Sequence, residues 1–417
     1  MGAAEVVELE GHIIDSLILA KVMDLVLAAG GDYEVLEVDI GKTNRDPSRA
    51  RIEVRAPSEE ALADLLTELQ AHGANALGQT DASLASSDAD GVLPAGFYST
   101  TNLPTWVRIG GHWEPVDRAE MDSALVVRPA GSLPRVENVP MHRVRRGDQV
   151  VLGREGVRVR SPERPRAASP FEFMTSEISS EKPKALVVAR VADRIRAAHS
   201  GGPGGAGGPG GPGKVLVVVG PAVVHTGAAP ELARLVRHGF VDVLFAGNGF
   251  ATHDMESAVL GTSLGIEVGR GVAAEGGHAN HLRVINEVRR HGSVAAAVEA
   301  GWLTRGVLYE CVVHGVPFVL GGSVRDDGPL PDTIADVVMA ADAMRGLVPG
   351  VRVALMLAST LHAVATGNLL PADVETFCVD INQAVVTKLA DRGSHQALGV
   401  VTDVGLFLAE LADELCG

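Results

Sequence analysis

The sequence predicts an α/β fold: a doubly wound parallel sheet in the second half, preceded by a smaller α+β domain with a β-rich extension. Three observations carry this. From about residue 181 onward, near-continuous apolar runs recur: "KVLVVVG", "VDVLFAG", "VPFVLGG", "VRVALML", "TFCVDIN" and "ALGVVTDVG". Such runs fit strands buried on both faces of a parallel sheet. Helical segments separate them, "HANHLRVINEVRRHGSVAAAVEAG" among them. The composition is 46% hydrophobic but only 4% aromatic, so the core is built from Val, Leu, Ile and Ala, as in sheets covered by helices.

The elements follow in order. "EVVELEG" reads as a strand. "DSLILAKVMDLVLAAGG" has helical apolar spacing, with Asp15 as its N-cap and glycine as its stop. "YEVLEVDIG" alternates with period two, and "RARIEVRAP" is a further strand. "SEEALADLLTELQAHG" opens on Ser58 with acids in its first turn and closes at Gly73. Residues 76–170 alternate short apolar stretches with turn residues, so short strands and loops are expected. There "GFYSTTNLPTWVRIGGHWEPV" concentrates two of the three Trp and one of the three Tyr, either lining a pocket or packing a small core. The expected domains are 1–175 and 176–417.

Charge and cysteine usage narrow the function. A formal net charge of −16 argues against general nucleic-acid affinity. Residues 135–166 oppose the trend with nine Arg against four acids, and read best as a solvated β-rich surface. Cys311, Cys378 and Cys416 are widely spaced and form neither a disulfide framework nor a zinc pattern. Cys311 lies in an apolar helical pattern and reads as a buried structural thiol rather than a nucleophile. "MGAAEVVELEGHIID" has no basic n-region and no apolar h-region, and no run of 18 apolar residues occurs. Neither a signal peptide nor a membrane helix is expected, and the reducing cytoplasm is the expected compartment.

The stretch "GGPGGAGGPGGPGKVLVVVGPAVVHTGAA" holds two literal G-x-G-x-x-G matches, Gly202/Gly204/Gly207 and Gly208/Gly210/Gly213. A phosphate-binding fingerprint must follow a strand and open a helix. Both matches precede the strand, so 201–213 reads as a flexible Gly/Pro loop. After the strand, Gly220, Pro221 and Gly227 shape a longer turn. Ligands of such sheets gather at the C-terminal strand ends. Those ends carry Asn248, Thr252, His253 and Asp254; Ser323, Arg325, Asp326 and Asp327; Ser359, Thr360 and His362; Asp380 and Asn382; Thr402 and Asp403. Small, hydrogen-bonding and carboxylate residues at successive ends favour a cleft. Asp380, ending an apolar strand, suits both ribose hydroxyls of an adenosine and would repel a 2′-phosphate, favouring NAD over NADP. Its alternative role is a helix N-cap. Asp326 and Asp327 beside Arg325 fit a ribose and a substrate ammonium, or a plain turn. His278 and His281 stand three apart near a helix start with no third ligand in evidence, so no metal is expected.

"GNGFATHDMESAVLGTSLG", "GGHANHLRVINEVRRHGS", "GGSVRDDGPLPDTIADVV", "LHAVATGNLLP" and "CVDINQAVVTKLADRGS" together resemble the archaeal-type ornithine cyclodeaminase family. "GHIIDSLILAKVMDLVLAAGGDYEVLEVDIGK" and "GFYSTTNLPTWVRIGGHW" resemble its N-terminal domain, named for lysine-oxoglutarate reductase/saccharopine dehydrogenase (LOR/SDH). The cyanobacterial bifunctional arginine dihydrolase/ornithine cyclodeaminases carry the same two domains at their C-terminal end; their arginine-hydrolysing domain has no counterpart in the resemblance. The resemblance implies a Rossmann-like NAD domain and conversion of L-ornithine, or a related diamino acid, to L-proline or its homologue plus ammonia. It implies NAD contacts at Asn248, Gly249, Asp327, Thr360, Leu361, His362, Asp380, Asn382 and Asp403. Gly249 and Phe250 depart from the family's Ala and Leu.

Cyclodeamination by internal hydride borrowing needs a carboxylate for the δ-ammonium, a proton carrier and a cation for the substrate carboxylate. Charge type and strand-end position assign these to Asp254 or Asp326, to His253 or His278, and to Arg325. An opine- or saccharopine-type dehydrogenase and a non-catalytic NAD- and amino-acid-binding regulator are the alternatives. Assembly into a homo-oligomer is expected.

Overall fold

The computed structural model describes residues 3–14, 17–42, 46–70, 72–76, 80–129, 134–160, 184–200, 212–264, 266–267, 279–326, 328–385, 388 and 397–417. The chain divides into two compact units, Met1–Phe173 with Leu370–Ala372, and Met174–Leu369 with Asp373–Gly417.

The first unit begins with β1 (Ala3–Gly11), α1 (Ile18–Ala28), β2 (Asp32–Asp39), β3 (Ser48–Ala56), α2 (Glu59–Gln70) and β4 (Asn75–Ala76). The strands form an antiparallel sheet in the order β2-β3-β1-β4. Val22 and Val26 of α1 and Leu62, Leu65, Leu66 and Leu69 of α2 join one core with Val7, Leu9, Ile52 and Val54. Ser58 caps α2 as expected, its Oγ accepting the Ala61 N–H at 3.1 Å. The start of α1 differs from expectation. Its N-cap is Leu17, at φ 57° with no side-chain cap bond, and Asp15 lies outside the described residues.

A second sheet follows, from β5 (Ser83–Ser86), β6 (Thr105–Ile109), β7 (His112–Asp117), β8 (Ala124–Arg128), β9 (Arg135–Val139), β10 (Gln149–Leu152) and β11 (Val157–Val159). Its order is β11-β6-β7-β9-β8-β10-β5. The aromatic stretch is packed. Tyr98 lies against the core of Leu103, Val107 and Leu125, and Trp113 and Trp106 sit under the guanidinium groups of Arg158 and Arg160 at 4.6 and 5.7 Å. Arg135 pairs with Asp117, Arg145 with Asp90 and Arg160 with Glu10, so acids from neighbouring segments offset the basic stretch.

The second unit runs α3 (Lys184–Ser200), β12 (Lys214–Val219), α4 (Ala222–His225), α5 (Ala229–Arg237), β13 (Val243–Gly247), α6 (Asn248–Leu260), β14 (Thr262–Ser263), β15 (Ile266–Glu267), α7 (Asn280–His291), α8 (Val294–Glu299), α9 (Val307–Val313) and β16 (Phe318–Gly321). It continues through β17 (Thr333–Ile334), α10 (Val337–Leu347), β18 (Val351–Leu357), α11 (Leu361–Leu369), β19 (Glu375–Asp380), β20 (Ala397–Val401) and α12 (Val404–Cys416). The main sheet is parallel, in the order β17-β16-β13-β12-β18-β19-β20. Counted from β12 and leaving out β17, this is the 3-2-1-4-5-6 order of a Rossmann fold. The central strand is fully buried from Val215 to Val219, which is why its sequence is an unbroken apolar run. The helical stretch at 278–301 is broken in two: Gly292 takes φ 91° and Ser293 starts α8, its side chain accepting the Ala296 N–H. Residues 201–211 of the Gly/Pro segment lie outside the described residues.

Chain connections leave β12 toward β13 and β18 toward β19, on opposite sides. A doubly wound sheet leaves a crevice between such connections, and there the backbones of β12 and β18 meet closely. Gly220 donates its N–H to the Leu357 carbonyl at 2.9 Å. A Cβ on Gly220 would stand 1.9 Å from the Ala358 carbonyl oxygen. Ala358 itself is turned to φ 46°, a conformation an L-residue seldom takes. Gly220→Ala is therefore expected to destabilise the unit by at least the ~1–3 kcal/mol typical of overpacking. A lowered urea midpoint checks this; a variant as stable as the wild type contradicts the close approach.

Candidate functional site

The C-terminal ends of β12, β13, β16, β18, β19 and β20 share one edge of the sheet, and the predicted site residues fall there in distinct ways. At β13, Asn248 is buried and its Oδ1 accepts from the Leu330 N–H at 2.9 Å and the Thr333 hydroxyl at 3.0 Å. Asn248 thus ties down the far end of the segment after β16, the one that carries Asp326. Gly249 leaves room beside Pro221, whose Cγ would stand 3.7 Å from an added Cβ.

After β16 the chain makes a tight turn. The Ser323 N–H donates to Asp326 Oδ2 at 2.7 Å and the Asp326 N–H to the Ser323 carbonyl at 3.1 Å. The turn folds the Asp326 carboxylate back toward the strand end. Arg325 is exposed and pairs with no acid among the described residues. Asp327 and His278 lie outside the described residues.

Asp254 is a different kind of acid. It is 1% exposed, and its two oxygens accept the Val307 and Leu308 N–H groups at 3.0 and 2.9 Å. It caps α9 from the flank of α6, a use that the sequence expectation of a substrate carboxylate did not include. Burial pushes its pKa up to about 6, against the two backbone N–H groups that lower it. His253, one position earlier, bonds through Nδ1 to Glu256 at 2.9 Å. Glu256 is fully buried, and its other oxygen accepts the Thr262 hydroxyl at 2.8 Å. Asn280 of α7 donates to Thr262 at 2.8 Å, and His225 of α4 lies edge-on to His253 with ring centroids 5.0 Å apart. This network ties α4, α6 and α7 together. Sequence reading missed Glu256, which is buried on α6 between Met255 and Ser257, two positions past Asp254. Among the described residues no group of three or more His, Cys, Asp or Glu is arranged to hold a metal.

Across the crevice, α11 follows β18 with Thr360 and Leu361 exposed at its start and Ser359 buried beneath. The His362 ring reaches over to β13 and β16. An added Cβ on Gly247 would stand 2.8 Å from its Cε1, and one on Gly321 3.2 Å from its Nε2. Burial lowers the His362 pKa and the Asp326 charge works against that shift. At β19, Asp380 is 9% exposed; its Oδ1 accepts the Asn382 N–H at 2.8 Å. Its other oxygen has no hydrogen-bond partner among the described residues. Asn382 accepts from the Ala384 N–H, and Asp403 caps α12 by accepting the Leu406 N–H at 3.0 Å. Cys311 and Cys378 are buried, with thiol pKa values pushed up, so neither is an activated nucleophile.

These features fit a dinucleotide. Gly220 carries no side chain where its backbone meets Ala358, the close backbone approach that suits a pyrophosphate. Asp380 offers a carboxylate oxygen for ribose hydroxyls. The Thr402 hydroxyl is buried with no partner among the described residues. Apolar Leu361 and Ile381 stand 73% and 75% exposed on the same edge, surface that a ring system would cover.

The Asp254 geometry carries a pH prediction. Its folded pKa of about 6 lies above the ordinary 3.8, so the folded state holds the proton more tightly. Its contribution is fully present below the ordinary value and is lost as pH rises through about 6. The advantage of wild type over Asp254→Asn in urea unfolding is expected to shrink by up to about 3 kcal/mol between pH 4 and 7. An advantage independent of pH contradicts the buried, titrating cap.

Residues 190–411 match the family model of the arginine dihydrolase ArgZ-like C-terminal Rossmann fold, and residues 104–188 its first C-terminal region. Residues 4–103 match the LOR/SDH bifunctional enzyme conserved region. An ornithine cyclodeaminase of Methanopyrus kandleri is 50% identical over 412 residues, 99% of this chain and 97% of that protein. Apo ArgZ, an arginine dihydrolase from the ornithine–ammonia cycle in cyanobacteria, is similar in structure with a TM-score of 0.83 at 38% identity. The likeness covers 100% of this chain, which spans 58% of ArgZ. The ternary complex of AgrE with ornithine and NAD+ is similar with a TM-score of 0.53 at 41% identity, over 100% of this chain and 58% of AgrE. By these matches, and by the strand order that frames the crevice, the chain belongs to the ornithine cyclodeaminase family.

Proposed function

We propose that the protein is an NAD-dependent ornithine cyclodeaminase, converting L-ornithine to L-proline and ammonia. The observation that carries this is the crevice where strand order reverses, with Asp380 on one side and the Asp326 turn on the other. An archaeal ornithine cyclodeaminase at 50% identity and the ornithine- and NAD+-bound AgrE at 41% supply the chemistry.

Gly220, Pro221, Thr360 and Leu361 are the residues that would hold NAD+. Asp380 would accept from its ribose hydroxyls, with Asn382 just beyond the same strand end and Asp403 at the next. Gly249 lets the first turn of α6 approach, and Asn248 acts at one remove by holding the Asp326 segment. Bound NAD+ supplies a temporary acceptor for the hydride of the ornithine Cα, which returns to the same carbon, so the reaction is redox-neutral overall. The protein's own residues handle charge. Arg325 takes the substrate carboxylate and Asp326 the δ-ammonium. Asp254 is spent on α9, so Asp326 is the acid free for substrate. Once its ammonium has given up a proton, the δ-nitrogen closes on Cα; the bond to the α-nitrogen breaks as that nitrogen takes up a proton and leaves as ammonia.

Two outcomes test this. Ornithine deuterated at Cα and labelled with 15N on the α-amino group is expected to give proline retaining deuterium at C2, and labelled ammonia. Stoichiometric build-up of reduced nicotinamide would instead mark a dehydrogenase, and ornithine binding without ammonia release a regulator. Asp326→Asn is expected to raise KM for ornithine roughly 10- to 100-fold, the loss of one charge-assisted hydrogen bond. An unchanged KM removes Asp326 from the substrate site.

A further inference from the structure

We propose that His362 is the general base of the site, taking a proton from the α-ammonium of the substrate with Asp326 stabilising the imidazolium that results. This rests on the ornithine reading above and deepens it.

The argument starts from reach. His362 belongs to α11, which follows β18, yet its ring lies at the ends of β13 and β16. With strands about 4.8 Å apart, the side chain bridges the crevice past the end of β12. Two glycines make the space. An alanine at Gly247 would put its Cβ 2.8 Å from the ring's Cε1, and one at Gly321 3.2 Å from Nε2. Both glycines end their strands, "VLFAG" and "FVLG", where larger apolar residues would otherwise continue. Met344 of α10 packs beside the same spot. The ring is thus held from several sides, as a catalytic group must be.

Its protonation state suits the task. Neither ring nitrogen has a hydrogen-bond partner among the described residues. Burial keeps the imidazole neutral, and Asp326, the charged group acting on it, favours the protonated form once a proton arrives. Nε2 lies nearest the last residue of β16, the strand that leads into the Asp326 turn. In the step itself one ammonium N–H bond breaks and an Nε2–H bond forms. The electron pair stays on the α-nitrogen, where it assists hydride departure from Cα. His253, the histidine first suggested by strand-end position, has its Nδ1 committed to Glu256 within the network that joins α4, α6 and α7.

The test uses the full-length protein loaded with NAD+. His362→Asn is expected to lower kcat ~10²–10⁴-fold, the usual worth of a general base. It is also expected to abolish the acidic limb of the pH–rate profile, with NAD+ affinity measured by calorimetry changed less than about threefold, as loss of proton transfer rather than of cofactor binding requires. Gly247→Ala, which displaces the ring without removing it, is expected to lower kcat while the urea midpoint stays near wild type. Independently of turnover, the labelled His362 imidazole followed by NMR is expected to titrate below the ordinary histidine value, and lower still in Asp326→Asn. Wild-type turnover of ornithine with His362→Asn equally active overturns the role of His362 alone. A His362 titration unmoved by Asp326→Asn overturns the pairing. A wild type silent toward ornithine overturns the reaction on which the proposal rests.

Discussion

The second unit depends on one close approach, the backbone of Gly220 against that of Ala358. Where two parallel strands send their connections to opposite sides, the strand ends are left uncovered, and the gap becomes a crevice. The crevice stays shallow unless both backbones come close. Here a hypothetical Cβ at residue 220 falls 1.9 Å from the Ala358 oxygen, and Ala358 takes a left-handed turn. The cost of that turn is offset by the ladder around it: the Ala358 N–H reaches the Val379 carbonyl and the Gly220 N–H the Leu357 carbonyl, both at 2.9 Å. Three strand ends are locked in register. The groups that matter then sit at fixed offsets from them: Asp380 directly on β19, the Asp326 turn just past β16, and His362 one residue into α11.

Polar groups around this edge divide into those that hold the frame and those left facing the crevice. Asn248, Asp254, Glu256 and Asp403 spend their oxygens on backbone N–H groups or on neighbouring side chains. Asn248 and Asp254 replace water that a buried loop or helix end would otherwise need. Asp326 and Asp380 each spend one oxygen on a local turn and keep the other free of described partners. A carboxylate half-used by its own turn is oriented and still able to accept.

Much of this architecture was legible in the sequence because hydrophobic burial has a short period. The unbroken runs from "KVLVVV" to "ALGVV" became β12, β13, β16, β18, β19 and β20, so the strand ends singled out in the sequence share one edge of the sheet. Ser58 was legible as a cap because capping is local. Asp254 was not legible as a cap, since the helix it serves begins more than fifty residues later. The break at Gly292 and Ser293 was written in the residues, but the apolar spacing on both sides masked it. The room for the His362 ring is encoded by absent side chains, at Gly247 and Gly321, on strands that do not adjoin its own. A glycine ending an apolar strand signals a close neighbour without saying which one.

If ornithine is the substrate, as proposed, its charge explains why the base should be a neutral imidazole. Ornithine brings two ammonium groups and one carboxylate into the crevice at neutral pH. The crevice answers with two half-free carboxylates and one exposed guanidinium. A base that was itself cationic before the reaction would compete with the substrate for Asp326 and repel the ammonium it must deprotonate. A carboxylate base would lack driving force, since its ordinary pKa lies far below that of an ammonium. A lysine would have to be desolvated by several pKa units to act near neutrality. An imidazole is already largely neutral near pH 7; burial of His362 favours that form further, and the Asp326 charge works the other way, toward the imidazolium. In this reading the carboxylate at the end of β16 faces the δ-ammonium and, once the proton has moved, also offsets the charge on the imidazolium.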